Sequence, residues 1–473
     1  MIADEPLSIA GLAAWDQPER GAITVRDRIA GNSARMIMLG LLAVALGLTG
    51  PAAAREMTLP DCISAALEAN RDIAAARENL AQAASGVAEA RSGFMPNLSL
   101  SASYNFAEKV PTMDLPLGGH LQQIKLDITK DYSLGVALAQ PLYTGGRLSS
   151  SYRMSEASRD IAGANLEREQ ADAALSVIGT FYALLLARES VGVAEQAVKT
   201  AQEFLRVVQA RRSAGQASDF EVMRAEVEVA NLEPALINAK NAVALAELTL
   251  KRELGIKAEE DVTFVGSFDE STVEVDAADA VRQGLDRRPE VRMAKAKARI
   301  AHEGLGLAKA GRLPTLAATA NYAWGADKLK LEGDTWETTY NGYLVLSLPI
   351  FDGLKTKSQI SRSRSEARQA EIELANLESG VELEVRSSVL NLAAAVAALK
   401  SQEQNVGVAE QGLKIANDRY LQGLATNLDV MDAQLALTRA RNYRLQALHD
   451  LNLATAALKR ATGSLLDGFA GAR

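Results

Sequence analysis

The sequence predicts a mainly α-helical protein with a small β part, organised as two tandem structural repeats. Three observations predict it. Apolar residues step by three and four over tens of residues, four short runs alternate apolar and polar, and one block of sequence occurs twice at a near-constant offset. Composition excludes several function classes. In 473 residues 48% are apolar, 23% are charged and the formal net charge is −8. Such a chain lacks the basic stripe that a phosphate backbone requires, so no nucleic-acid partner is expected. Cys62 alone cannot close an internal disulfide, and His120, His302 and His449 are too scattered for a His-rich metal site. There is no Gly-rich phosphate loop, no metal-ligand spacing and no Ser/His/Asp set, so the chain does not read as an enzyme and no cofactor is expected.

The N-terminal 54 residues read as a lead and a secretory signal. Met36–Thr49 is an apolar run of 14 residues, preceded by Arg35 and followed by Pro51-Ala52-Ala53-Ala54. It is too short to cross a bilayer comfortably and carries the flanks of a signal cleaved after Ala54. An uncleaved anchor helix is the competing reading. After Ala54 no apolar run approaches the roughly 20 residues of a membrane helix, so a mature protein that enters a membrane must do so as strands.

The duplication defines the two repeats, 55–263 and 264–463, with 464–473 as a C-terminal tail. Residues 90–98 (ARSGFMPNL) match 308–316 (AKAGRLPTL) at an offset of 218, and Gln140-Pro141-Leu142-Tyr143-Thr144-Gly145 matches Leu348-Pro349-Ile350-Phe351-Asp352-Gly353 at an offset of 208. The second offset continues without a gap to Gly255 against Gly463. Within each repeat the period changes. Residues 97–106, 132–139, 315–324 and 340–350 alternate, each about the length of a tilted membrane-crossing strand, and about half of all aromatics lie in or beside them. A small soluble antiparallel sheet would alternate in the same way.

The remaining period is helical. Leu184, Ala187, Val191, Ala194, Val198, Ala201, Leu205 and Val208 have coiled-coil spacing, as do Val406, Ala409, Leu413, Ala416 and Tyr420. Gly215 and Gly423 are expected to end these helices, and Ser218-x-x-Glu221 and Thr426-x-x-Asp429 to cap the next ones. Pro234 should kink or break the return helix, 218–254. From Gly145 to Gly215 is 70 residues, or about 105 Å of helix at 1.5 Å per residue. The return helix and a following one (277–311) cover the same span end to end, with 256–276 partway along. The expected unit is a rod about 100 Å long.

Four strands cannot close a membrane barrel, and an open sheet edge in lipid is forbidden. Two chains would give eight strands and a filled interior, whereas three would give twelve and leave room for a lumen. A homotrimer is therefore expected, with a 12-stranded transmembrane β-barrel joined to a trimeric α-helical barrel.

The duplicated layout, Pro-Leu-Tyr-Thr-Gly-Gly at 141–146, Pro-Ile-Phe-Asp-Gly at 349–353 and Arg419-Tyr420-Leu421-Gln422-Gly423 followed by Asp429-Val430-Met431-Asp432-Ala433 resemble the TolC-type outer-membrane efflux proteins. The resemblance spans 57–463. It implies a cell outer-membrane channel that extends into the periplasm. Its tip would dock on a periplasmic membrane-fusion adaptor and, directly or through it, on an inner-membrane pump of RND, ABC or MFS type, with outer-membrane lipid around the barrel. The competing reading is an exported coiled-coil scaffold, or a periplasmic adaptor without a channel.

Asp429 and Asp432 are the sharpest site candidates, lying three apart on one helix face just past the distal turn. In a trimer they would form stacked carboxylate rings that attract cations, and the resemblance implies an aspartate gate at the same positions. Near a helix start, acidic residues also simply favour the dipole and cap. The first repeat has Glu221 and Arg224 at the matching places. Tyr420 matches the family's tyrosine that helps hold the tip closed, and it is equally a heptad seam residue. Ala425 stands where the family's best-known members have an arginine gate partner. Gly215 and Gly423, with Arg211, Arg212 and Arg419, are expected at adaptor-facing tips, the glycines also serving as helix caps.

Overall fold

The computed structural model describes residues 55–106, 112–117, 120–125, 130–271, 274–328 and 336–467. The expected signal segment and the last six residues of the tail lie outside them. The described residues cluster in two units. The smaller contains 55–56 and 261–263, around the pairing of β1 (Arg55–Met57) with β6 (Val262–Phe264). The larger carries α1 (Leu59–Ala69), α2 (Arg71–Ser92), β2 (Asn97–Tyr104), β3 (Thr112–Leu117), β4 (His120–Lys125), β5 (Tyr132–Tyr143), α3 (Arg147–Ser213) and α4 (Asp219–Glu253). It continues with α5 (Ala277–Arg287), α6 (Pro289–Ala310), β7 (Thr315–Ala326), β8 (Glu337–Ser347), α7 (Lys355–Leu421) and α8 (Asn427–Thr462).

The four alternating runs form one antiparallel sheet in the order β2-β5-β7-β8. The register collects the apolar positions on one face, in cross-strand rows such as Leu100–Val136–Tyr322–Tyr340 and Ala102–Leu134–Trp324–Thr338. The other face is mostly small or polar apart from Tyr343 and Val345, with Ser103 and Ser133 hydrogen-bonded at 2.6 Å and the Asn321 side chain donating to Asn341 at 2.9 Å. An apolar face opposite a polar one is the partition a barrel wall needs between lipid and lumen. Both edge strands, β2 and β8, leave one side without a partner strand among the described residues. The β3–β4 hairpin, inserted between β2 and β5, was not signalled by alternation in the sequence.

Helix α3 runs 67 residues, about 100 Å. Its buried residues include Ser150, Ala157, Ala164, Ala171, Ile178 and Leu185, an unbroken heptad repeat. The small residues at the sheet-proximal end allow close approach: a Cβ on Gly306 of α6 would sit 2.7 Å from Ser150 Oγ. Helix α7 has the same length, with Val385, Leu392 and Leu399 seven apart and buried. Near the sheet the helices pack in the order α2-α3-α6-α7, and toward the distal turns in the order α4-α3-α8-α7.

Three expectations are corrected. The helix expected over 277–311 is two helices, because Arg288 precedes Pro289 and is extended (φ −62°, ψ 130°). Pro234 does not interrupt α4, which is continuous from 219 to 253. One 18-residue window of α3 is apolar enough by composition to cross a bilayer, with mean hydropathy 1.4. That helix buries Phe181 and Leu185 as packing, and Gly266 lies so close that a Cβ there would meet Phe181 Cζ at 2.8 Å.

The segment after β6 straps the middle of the helices. Arg188 donates to the Phe264 carbonyl (2.5 Å) and to Glu247 (2.6 Å). Asn452 of α8 accepts from Asp269 N–H (3.1 Å) and donates to its carbonyl (3.0 Å). Ion pairs join α3 to α6 in heptad steps, Arg153–Glu303, Asp160–Arg299 and Glu167–Arg292. A buried network adds α7 and α8: Glu290 accepts from Arg460 (2.7 Å) and Arg288 (3.3 Å), while Arg460 reaches Asp172 and Arg288 reaches Glu384. Burial pushes the Glu290 carboxyl up, but hydrogen bonds from Arg288 and Arg460 outweigh it and hold it at about 2.

Candidate functional site at the helix-hairpin tips

Both distal turns are built by the same local chemistry. Gly215 (φ +73°) and Gly423 (φ +75°) take the left-handed conformation that a Schellman ending requires. Gln216 N–H closes on the Arg211 carbonyl and Leu424 N–H on the Arg419 carbonyl, each at 2.8 Å. Three residues later Ser218 and Thr426 open α4 and α8 with full capping boxes.

The two carboxylates singled out in the sequence differ in what engages them. Asp429 Oδ2 accepts from both the backbone N–H and the hydroxyl of Thr426 at 2.7 Å, so the carboxylate is part of the cap. Those bonds hold it below the usual carboxylate range. Asp432, one turn on, is exposed, and its side chain has no hydrogen bond or ion pair among the described residues. Val430 between them is fully buried.

Tyr420 is 3% exposed and lies in a cluster with Phe204, Val208, Ala225 and Val430. Its ring centroid is 5.2 Å from that of Phe204. Burial pushes its phenol up, Glu221 adds to this and Arg211 opposes it. The hydroxyl is buried without a hydrogen-bond partner among the described residues. The Arg211 guanidinium lies 4.7 Å above the ring and donates Nη1–H to the Tyr420 carbonyl, tying the end of α3 to the end of α7. Arg212 is exposed and paired with Asp219 at 2.5 Å, and Arg419 is exposed. A second tie was not read from the sequence: buried Asn427 donates from Nδ2 to the Glu221 carbonyl at 2.9 Å, joining the starts of α8 and α4. Its partner is 206 residues away, so no local pattern marks it. Among the described residues no group of three or more His, Cys, Asp or Glu could hold a metal ion.

The sequence profile of the family described as outer membrane efflux protein matches residues 62–256 and 280–464. The chain belongs to the outer membrane efflux protein family. It is 24% identical to the outer membrane efflux protein BepC of Brucella suis biovar 1 over 427 residues, 88% of each chain. It is 26% identical to the cobalt-zinc-cadmium resistance protein CzcC of Cupriavidus metallidurans over 416 residues, 87% of this chain and 91% of that one. Its fold matches the outer-membrane channel OprN with a TM-score of 0.72 at 18% identity, covering 86% of this chain and 90% of that one. The protein is an outer-membrane efflux protein that extends into the periplasm, and its fold, long helices joined to a small antiparallel sheet, is that of an outer-membrane channel.

Proposed function

We propose that the protein is the homotrimeric exit duct of a tripartite efflux or type I secretion system. The observation that carries this reading is the pair of open edges on a sheet with one apolar face. β2 and β8 cannot stay unpaired in lipid, and three copies joined edge to edge give a closed barrel of twelve strands. The helices support the same closure. In both packing orders α7 stands at one margin, with α2 and α4 at the other. Exposed apolar residues concentrate there, Val227, Ile237 and Leu245 on α4 and Leu383, Leu390 and Val408 on α7. A head-to-tail contact repeated three times buries all of them.

In this reading each chain is two tandem repeats, 55–263 and 264–463, followed by a short tail. Tyr420, Asp429 and Asp432 form the pore constriction. Arg212, Arg419 and the glycine turns face a membrane-fusion adaptor that hands over substrate from an inner-membrane RND, ABC or MFS pump. The protein performs no catalysis of its own. The test is conductance in planar bilayers: purified protein should form cation-selective pores, and Asp432→Ala should raise single-channel conductance and weaken block by divalent cations. An Asp432→Ala trace identical to wild type would remove Asp432 from the gate.

A further inference from the structure

All four connections between sheet and helices lie at one end of the sheet, because Asn97 pairs with Ala139, Tyr143 with Leu316 and Thr315 with Ser347. Within residues 91–97, 143–149, 309–315 and 347–357 stand six cations, Arg91, Arg147, Lys309, Arg312, Lys355 and Lys357, and a single carboxylate. All six are exposed, and none has an ion pair or side-chain hydrogen bond among the described residues. They contrast with Arg153, Arg292 and Arg299 further along the helices, which are all paired. The one carboxylate, Asp352, is occupied: it accepts from the Thr356 N–H at 2.9 Å and from the Thr356 hydroxyl. Glu89, one turn back in α2, is the nearest other acid in sequence.

Exposed apolar side chains border these cations, among them Phe94, Leu142, Tyr143 and Phe351. An apolar and aromatic band meeting a ring of unpaired cations is the pattern of a membrane interface. The other end of the sheet differs in charge. The described residues there include Asp131, Asp327 and Glu337 against Lys130 and Lys328, and Lys130 is paired with Asp327 (3.3 Å) and Glu337 (3.1 Å).

We propose that the six cations form a belt that binds the anionic phospholipid headgroups of the membrane's periplasmic face and so fixes how deep the sheet sits. The proposal rests on the lipid-crossing sheet of the duct described above. Each cation stands within four residues of an exposed apolar side chain, Phe94, Tyr143, Leu313 or Leu354, and a long basic side chain beside such an anchor keeps its charged head at headgroup level.

The test is electron spin resonance on the full protein reconstituted in phosphatidylcholine vesicles, with spin-labelled phosphatidylglycerol or spin-labelled phosphatidylcholine as the probe. Wild type should immobilise the anionic probe with about threefold or greater preference, and that preference should fall toward one in roughly 0.5 M KCl. Replacing all six cations with glutamine should abolish the preference, while Arg212→Gln with Arg419→Gln at the tips should leave it unchanged. If the sixfold variant fails to insert, Lys355→Gln with Lys357→Gln should still reduce the preference measurably. Equal immobilisation of both probes by wild type, or a preference that survives these substitutions, overturns the belt. A preference abolished by inorganic phosphate but not by chloride at matched ionic strength marks a free-phosphate site and overturns it too. Immobilisation of neither probe contradicts the lipid-crossing sheet itself, a failure distinct from failure of the belt.

Discussion

Leu354 is the one non-glycine residue with positive φ (+67°) among the described residues, in the turn that launches α7. The matching turn before α3 uses Gly145 and Gly146. A left-handed leucine costs about 1–2 kcal/mol and glycine's extra chain entropy returns about 0.5–1 kcal/mol of that. Leu354→Gly should therefore stabilise by up to about 1 kcal/mol, read as a small rise in the thermal midpoint, and a fall would show that the exposed leucine makes a contact worth more than its strain. At the tips, Asp429 and Asp432 are expected to separate by role. Asp429→Ala removes a capping-box partner and should lower the thermal midpoint. Asp432→Ala removes no side-chain hydrogen bond or ion pair among the described residues and should leave stability unchanged while altering ion block. Equal destabilisation by the two substitutions would contradict this division. Both capping boxes and both turn glycines were legible in the sequence, because their chemistry is complete within five residues. The tie from Arg211 to Tyr420 was not, since its partners are 209 residues apart.

Secondary elements were legible where one physical period ran long. The heptads of α3 and α7 and the four alternating strands follow from patterns of eight residues or more, and the sheet gathers the expected apolar faces on one side. Two features escaped for local reasons. The β3–β4 hairpin carries Pro116 within a short, irregular run, and the break at Arg288 was signalled only by Pro289. That break turns α5 and α6 into separate helices around the Arg288–Glu290–Arg460 network, which links four helices. Glu290 is held at about 2, below its ordinary value of 4.5, so it stabilises the folded state above the unfolded value, and that contribution is lost as pH falls through the folded one. The shift corresponds to roughly 3 kcal/mol. Glu290→Gln should destabilise by up to a similar amount at neutral pH, since it leaves Arg460 with Asp172 and Arg288 with Glu384 as their remaining carboxylates, and it should flatten the loss of stability between pH 4.5 and 2. An unchanged acid limb would mean the network is solvated. Arg211→Ala should loosen the junction of α3 and α7 and raise conductance, with Arg211→Lys intermediate because lysine keeps the charge but loses the planar stack.

At the scale of the molecule, the sequence already contained the argument for assembly: too few strands to close, helices too long and too rich in small seam residues for a compact core, and a chain expected to be exported. The identity of adjoining margins was not legible, because it depends on which helices end up outermost. The packing orders leave α7 at one margin and α2 and α4 at the other, and the proposed assembly joins these margins. Closure should therefore depend on apolar contacts between copies. Leu383→Asp with Leu390→Asp should leave each chain's helicity intact while weakening the assembly, measured as monomer released in detergent on native gels. A stable trimer would show that α7's exposed stripe faces elsewhere.

Image analysis of the detergent-solubilised protein by electron microscopy decides whether three copies close around one lumen. The expected particles hold three chains with threefold symmetry, a short barrel and a helical stalk about 100 Å long enclosing a lumen. Particles of one or two chains, or a closed assembly without a lumen, would contradict it.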